Sequence, residues 1–206
     1  YIDECLEAVR RLMKSEFILM NKQELIDKDG VMFHPKSTEP YTGTVYENMY
    51  DKKWIEGSYR NGKVDGLWTV WYDNGQKQSI TSYEEGIKEG LSTSWYTNGQ
   101  KSKEGKFREG REYGIWTEWY ENGQMWGEVF FLEGYQEGSC QTWFEDGRKM
   151  SHGIFRNGNR EGFWTFWLGD SKREGVYKDG KEEGVWTTYY EDGYKSEVTY
   201  KKGEFV

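Results

Sequence analysis

The sequence predicts a mainly β fold, an elongated single-layer antiparallel meander built from two-stranded hairpins. Three observations predict it: a long internal repeat, alternation of aromatic and other residues inside each copy, and glycine turn dipeptides between the copies. The 206 residues include 11 Trp, 16 Tyr and 10 Phe, although only 35% of the chain is hydrophobic. So few aliphatic residues exclude the thick core of a large α/β enzyme and favour a thin sheet held together by rings.

The repeat is clearest where GLWTVWYDNGQ, starting at Gly66, recurs as GIWTEWYENGQ, starting at Gly114. Looser copies give starting residues near 43, 66, 90, 114, 138, 162 and 184, at intervals of 23, 24, 24, 24, 24 and 22. We therefore predict about seven hairpin repeats over residues 43–206.

Two sets of turn signals punctuate each repeat. Asn-Gly or Asp-Gly pairs follow the first strand, and we expect both of their residues to adopt the positive φ of a type I′ turn. These pairs begin at Asn74, Asn98, Asn122, Asp146 and Asp192. A second glycine turn then closes each unit, with its glycine at Gly62, Gly86, Gly110, Gly134, Gly158 and Gly180.

The N-terminal segment differs from the repeats. Apolar residues from Ile2 to Met13 recur at helical spacing, which predicts an amphipathic α-helix over residues 1–20. We expect it to cap the edge of the first hairpin, with a partner-binding helix or the tail of a targeting region as alternatives. Residues 21–42 form the linker between this helix and the sheet. The chain opens at Tyr1, so a cytoplasmic location and export after a signal peptide both stay open.

Charge narrows the class of partner. The net charge is −8, so nucleic acid is excluded as an expected partner and an anionic lipid surface is disfavoured. A basic protein is the better electrostatic match. Cys5 and Cys140 lie far apart outside any metal-binding motif, and we expect two free thiols, with pairing left open.

No catalytic signature is present, neither HExxH, GxSxG, a phosphate-binding loop nor a dinucleotide fingerprint. The sequence therefore predicts a protein that is not an enzyme and has neither a cofactor nor a metal site.

Candidate binding residues come from three repeat positions. The third and seventh positions carry large side chains on one side of the strand, and we expect exposed rings there to anchor a partner. These are Trp68, Tyr72, Trp116, Tyr120, Trp164 and Trp186. The third position also varies, with Ser92 and Cys140 in two copies, which indicates either a specific contact surface or simple drift.

Carboxylates precede the opening glycines of the repeats, among them Glu89, Glu137 and Glu161. They form either a solvated rim that discourages strand pairing or an acidic ladder that steers a basic partner.

Units of the form Gly-Leu-Trp-Thr-x-Trp-Tyr-x-Asn-Gly-Gln-Lys, followed by Glu-Gly-x-Phe-x-x-Gly-Lys, resemble the bacterial variant of the MORN (membrane occupation and recognition nexus) repeat over residues 22–206. The resemblance implies a single-layer antiparallel scaffold. Many bacterial members are labelled as antitoxins of the YwqK type, which are presumed to bind a cognate toxin.

Our leading hypothesis is a non-enzymatic scaffold for protein–protein interaction, in an antitoxin or immunity role. The alternative is an exported surface or adhesion module that meets a host or envelope component. A carbohydrate- or lipid-binding surface ranks lower, and self-association through the terminal edge is left open.

Overall fold

A computed structural model describes residues 19–206, which are mainly β-strands. The predicted capping helix at residues 1–20 falls almost wholly outside this range, as does Cys5. The described residues contain a single helical element, a 3₁₀ turn at Lys22–Glu24, so none of them forms a helix of the length and apolarity needed to span a membrane.

The described residues divide into two compact units, residues 19–88 and 89–206. The strands of the first unit are β1 (Met20–Asn21), β2 (Ile26–Lys28), β3 (Val31–Phe33), β4 (Gly43–Met49), β5 (Lys52–Arg60), β6 (Lys63–Val64), β7 (Gly66–Trp71) and β8 (Lys77–Glu84). The remaining strands are β9 (Ile87–Trp95), β10 (Lys101–Arg108), β11 (Arg111–Trp119), β12 (Met125–Leu132), β13 (Tyr135–Trp143), β14 (Lys149–Arg156), β15 (Asn159–Leu168), β16 (Ser171–Lys178), β17 (Lys181–Tyr189), β18 (Lys195–Lys201) and β19 (Glu204–Phe205).

In the first unit, β4, β5, β7 and β8 pair antiparallel in chain order. The short β1 adds in parallel to β4, while β2 and β3 form a separate hairpin. The core of this unit consists of Met20, Tyr41, Val45 and Tyr59, with Trp68 packed against it. The segment at 21–42, expected to be a linker, thus contributes its own strands and the buried Tyr41.

In the second unit, each strand from β9 to β19 pairs antiparallel with the next. The prediction of a mainly β chain made of antiparallel hairpin repeats is therefore confirmed. The main core cluster here contains Cys140, Trp164, Tyr177 and Trp186, so rings supply most of the buried surface.

The turn prediction is wrong in one respect. At the Asn-Gly and Asp-Gly pairs that follow the first strand of each repeat, only the glycine has a positive φ, as at Gly75 (84°). Tyr72 accepts the N–H of Gly75 and donates its own N–H to Gln76, so the loop has three residues, and Asn74 Oδ1 caps the Gln76 N–H over 2.9 Å. A three-residue loop combines a type I turn with a left-handed glycine, and this geometry needs one positive φ rather than two.

Paired positive φ angles occur instead at the second set of turns. Glu109 (50°) and Gly110 (78°) show the pattern, and Asn157 (49°) and Gly158 (79°) repeat it. These two-residue turns match the twist of the flanking strands.

Candidate binding groove

The third repeat position carries the core of the second unit. The indoles of Trp116, Trp164 and Trp186 are buried, with Trp164 only 1% exposed. The expectation that these three rings are exposed anchors is therefore wrong. Trp68, in the first unit, is partly buried and packs edge-to-face on Tyr59 at a centroid distance of 5.6 Å.

Each of these tryptophans lies over a glycine of the preceding strand. A β-carbon added at the glycine would overlap the indole, at the pairs Gly57–Trp68, Gly105–Trp116, Gly153–Trp164 and Gly175–Trp186. In the second unit the strand bulges beside the glycine, and the indole N–H donates to the carbonyl of the next residue, as from Trp164 Nε1 to Ile154 O over 3.1 Å. The indole, the glycine beneath it and the bulge thus form one repeated packing unit, called here the glycine–tryptophan lock.

The predicted acidic ladder has a structural role. Glu137 accepts the backbone N–H of Asn157 over 2.8 Å, and Glu161 accepts that of Asp179 over 2.9 Å. Glu89 does the same for Glu109 over 2.7 Å. Each acceptor thus satisfies the first N–H of a left-handed turn in the next hairpin. Steering of a partner by these carboxylates stays a prediction.

The predicted seventh-position tyrosines lie at the other end of the hairpins. The Tyr120 hydroxyl donates to Trp143 O over 3.0 Å and ties two successive hairpins together. Burial, with the nearby Glu145 and Asp146, raises the pKa of the Tyr120 hydroxyl. Tyr72 is partly buried, and its backbone closes the loop described above.

The column of tryptophans is interrupted at Cys140. Its register partner on β12 is Val129, which stands where the other locks have glycine. Ring and glycine are thus exchanged together for two side chains of intermediate size. The indoles of Trp116 and Trp164 lie over Gly105 on β10 and Gly153 on β14, and no indole of the third repeat position lies over β12 between them.

A groove of about 660 Å³ occupies this interruption. Trp116 and Phe131 form one wall, edge to face at 6.3 Å, and Phe155 and Trp164 form the other at 5.1 Å. The floor residues are Gly127, Val129, Cys140, Thr142 and Ser151. The volume falls in the range of specific ligand sites, and the walls are mainly aromatic.

The floor of the groove is electrically neutral. Thr142 and Ser151 are buried, and their hydroxyls hydrogen bond to each other over 2.6 Å. Burial raises the pKa of the Cys140 thiol, against a smaller opposing effect of the Arg160 charge, so the thiol is protonated at neutral pH. A ligand would therefore contact rings and uncharged groups at the floor, and its charged groups would contact the charged side chains at the rims.

Each rim of the groove carries a cation, and the two cations differ in their carboxylate partners. At one rim, Lys103 lies 4.8 Å over the Trp116 ring and pairs with Glu118 at 3.1 Å and Glu112 at 3.6 Å. At the other, Arg160 lies 4.9 Å over the Trp164 ring. The only side-chain hydrogen bond of Arg160 within the described residues goes to the Tyr177 hydroxyl, over 3.3 Å.

A constant spacing relates these rims. In each of four successive repeats, three residues form one cluster: a first residue, a second one nine positions later and a third one four positions after that. The clusters are Lys103–Glu112–Trp116, Gly127–Gln136–Cys140, Ser151–Arg160–Trp164 and Arg173–Glu182–Trp186. The first and last are cation, acid and ring, with Arg173 paired to Glu182 at 2.9 Å. The second has lost all three groups, and the third has a cation in the place of the acid.

A second surface lies on the opposite side of the same sheet. Its apolar side chains are exposed and follow one another across the strands, at Ile115, Phe130, Ile154, Phe163, Val176 and Val185. Register places Ile115 opposite Phe130 and Phe163 opposite Val176. This stripe lies on the face opposite to the third-position tryptophans.

The comparisons with known proteins bear on the repeats alone. The family model described as MORN repeat variant matches residues 64–85, 88–109, 112–133 and 182–202. The chain therefore carries repeats of the MORN type in these four segments. No curated protein matches it. The matched segments leave out residues 134–181, which include Cys140 and Arg160.

Sequence reasoning identified the break at Cys140 but not the groove. Phe131, Phe155 and Arg160 line it and were not among the predicted binding residues. The signal for Arg160 was present in the sequence, because aligning the four clusters shows a cation where two copies have Glu.

Proposed function

We propose that the chain is a non-enzymatic repeat scaffold that binds another protein through the aromatic groove of its second unit. The observation that supports this is the groove itself, which lies where Cys140 stands in place of a third-position tryptophan and has aromatic walls and charged rims. Repeats of the MORN type are generally interaction repeats. Aromatic residues supply much contact area at low entropic cost, which suits such a groove to a protein partner.

The groove can be filled without altering the design of the fold. The double substitution Val129→Gly with Cys140→Trp installs the glycine–tryptophan lock that the sheet already contains at Gly105, Gly153 and Gly175. The added indole would occupy the groove. Phe163→Ser is the matched control, since Phe163 is 56% exposed on the other side of the sheet.

The test is affinity capture from the source cell with the wild-type chain and both variants. We expect one protein to be captured by the wild type and by Phe163→Ser, and to be lost with the filled groove. Capture of no protein would refute the scaffold. Loss with Phe163→Ser alone would transfer the binding site to the apolar stripe.

A narrower form of the proposal is that the partner is a toxin which the chain neutralises by binding, as the family resemblance implies. A toxin gene beside the chain's own gene, and rescue of growth on co-expression, would support it. Growth arrest that the chain fails to relieve would contradict it.

The alternative is an exported surface module, and the exposed apolar stripe is the feature that favours it. Large exposed apolar patches are typical of contact surfaces. A signal peptide at the start of the full gene would support export, and capture by the stripe rather than the groove would then follow.

A further inference from the structure

The inference concerns the chemistry of the group that the groove accepts, and it rests on the proposed function. We infer that the groove is a slot for one planar aromatic side chain of a partner protein, with a carboxylate adjacent to that ring bound by Arg160. The ring would replace the indole that the column lacks at Cys140.

The packing of rings in the second unit supports an aromatic occupant. In the second unit, Trp116, Trp164 and Trp186 each fill the space above a glycine, and the sheet is spaced for a ring at that position. At Cys140 the ring is missing, and Val129 and Cys140 line the groove in its place. The surrounding rings meet edge to face, at 6.3 Å for Trp116–Phe131 and 5.1 Å for Phe155–Trp164. An inserted aromatic ring can adopt the same geometry with both walls.

The pairing of the cations at the rims supports a bound carboxylate. Arg173, the cation of the next cluster, lies on the neighbouring strand β16 and is neutralised by Glu182 at 2.9 Å. Lys103 at the opposite rim has two carboxylates. Arg160 has no ion pair with any carboxylate in the described part of the chain, although its guanidinium is fixed over Trp164 and Phe166, at 4.9 and 5.2 Å.

A guanidinium that is held by rings and lacks an acid is preorganised to bind a carboxylate in a bidentate manner. Because Arg160 itself occupies the usual place of the acid in this cluster, the carboxylate that pairs with it would have to come from the partner. Ring and carboxylate requirements together define a partner segment with an aromatic residue next to Asp, Glu or a chain terminus.

The experiment uses N-acetyl-L-tryptophan, which carries an indole and a carboxylate, and N-acetyl-L-tryptophanamide, which lacks the charge. Binding of each to the full chain is measured by calorimetry. We expect the acid to bind about tenfold more tightly than the amide, since a charge-assisted pair is stronger than a neutral one. Filling the groove by Val129→Gly with Cys140→Trp should abolish both interactions.

Arg160→Gln should remove the preference for the acid while the amide still binds. Arg148→Gln is the matched control, because Arg148 pairs with Asp146 at a hairpin loop and does not line the groove. It should leave the preference unchanged. Equal binding of acid and amide to the wild-type chain would overturn the role of Arg160. Binding that survives in the filled variant, or no binding at all, would overturn the slot.

Two further outcomes separate this inference from the proposed function. If the filled variant still captures the same partner, the slot and the assignment of binding to the groove are both wrong, while the role as a protein-binding scaffold stands. If sedimentation shows a dimer of the wild type that the filled variant loses, the occupant is a second copy of the chain, and the inference is wrong.

Discussion

Gly153 lies directly beneath the indole of Trp164, and the Nε1 of that indole donates to the carbonyl of Ile154 over 3.1 Å. The same relation joins Gly105 to Trp116 and Gly175 to Trp186. The stability of the second unit should therefore depend on the absence of a side chain at these glycines as much as on the tryptophans.

Gly153→Ala should lower the free energy of unfolding by about 2 kcal/mol or more, because the added methyl overlaps a ring that is 1% exposed. Gly127→Ala is the matched control, since its β-carbon would meet no ring, and its nearest neighbours would be the Thr142 methyl at 3.3 Å and the Gln141 carbonyl oxygen at 3.5 Å. Urea unfolding of both variants measures the difference. Equal losses would show that glycine in the strand, rather than the ring above it, decides the stability.

The turn carboxylates provide a second prediction. Glu137→Ala should cost about 1–2 kcal/mol, because the Asn157 N–H loses a charged acceptor at 2.8 Å. Amide hydrogen exchange at Asn157 should become faster. Glu137→Gln keeps an acceptor oxygen for this N–H and should therefore change the stability and the exchange rate less. Glu133→Ala, at an exposed turn residue, is the control. Unchanged exchange at Asn157 in Glu137→Ala would contradict the structural role.

The hairpin-end tyrosines predict a smaller effect. Tyr120→Phe removes the bond from the hydroxyl to Trp143 O and should cost about 0.5–1.5 kcal/mol. Tyr135→Phe is the control, because the Tyr135 side chain is 61% exposed. Thermal unfolding measures both, and an equal loss in the two variants would assign the effect to the general loss of a hydroxyl.

Alkaline pH should destabilise the first unit through Tyr59. Burial, with Asp27 and Glu47, raises the pKa of the Tyr59 hydroxyl above its ordinary value of 10.0. The folded state therefore holds this proton more tightly than the unfolded state. Its contribution to stability is complete below pH 10.0 and is lost as the pH rises through the folded pKa.

Tyr59→Phe keeps the ring that packs on Trp68 and removes the ionisable group. The decline of the unfolding free energy above pH 10.0 should become shallower in this variant. Tyr50→Phe is the control, since Tyr50 is 91% exposed. A decline as steep as that of the wild type would show that Tyr59 titrates normally.

The repeat and its turns made the fold predictable. Period, strand alternation and glycine pairs are local signals, and they indicated hairpins without any knowledge of long-range contacts. The type of turn at Asn74 was mistaken because one additional loop residue changes the φ requirement, and the dipeptide alone does not show the length of the loop.

The site was only partly predictable. The variation at Cys140 was visible in the sequence, but exposure of Trp116 and Trp164 could not be judged without knowing which side of the sheet buries its rings. The glycines opposite them held that information. Arg160 was missed because one exposed cation is unremarkable by itself. It becomes significant only by comparison with Glu112 and Glu182, the acids at the same position of two other clusters.

A crystal structure of the full chain with N-acetyl-L-tryptophan would locate the ligand relative to the break in the tryptophan column. We predict the indole above Cys140, between Trp116 and Trp164, with the carboxylate in hydrogen-bond contact with the Arg160 guanidinium. An indole bound on the apolar stripe around Phe163, with the groove empty, would contradict the assignment of the binding site to this groove.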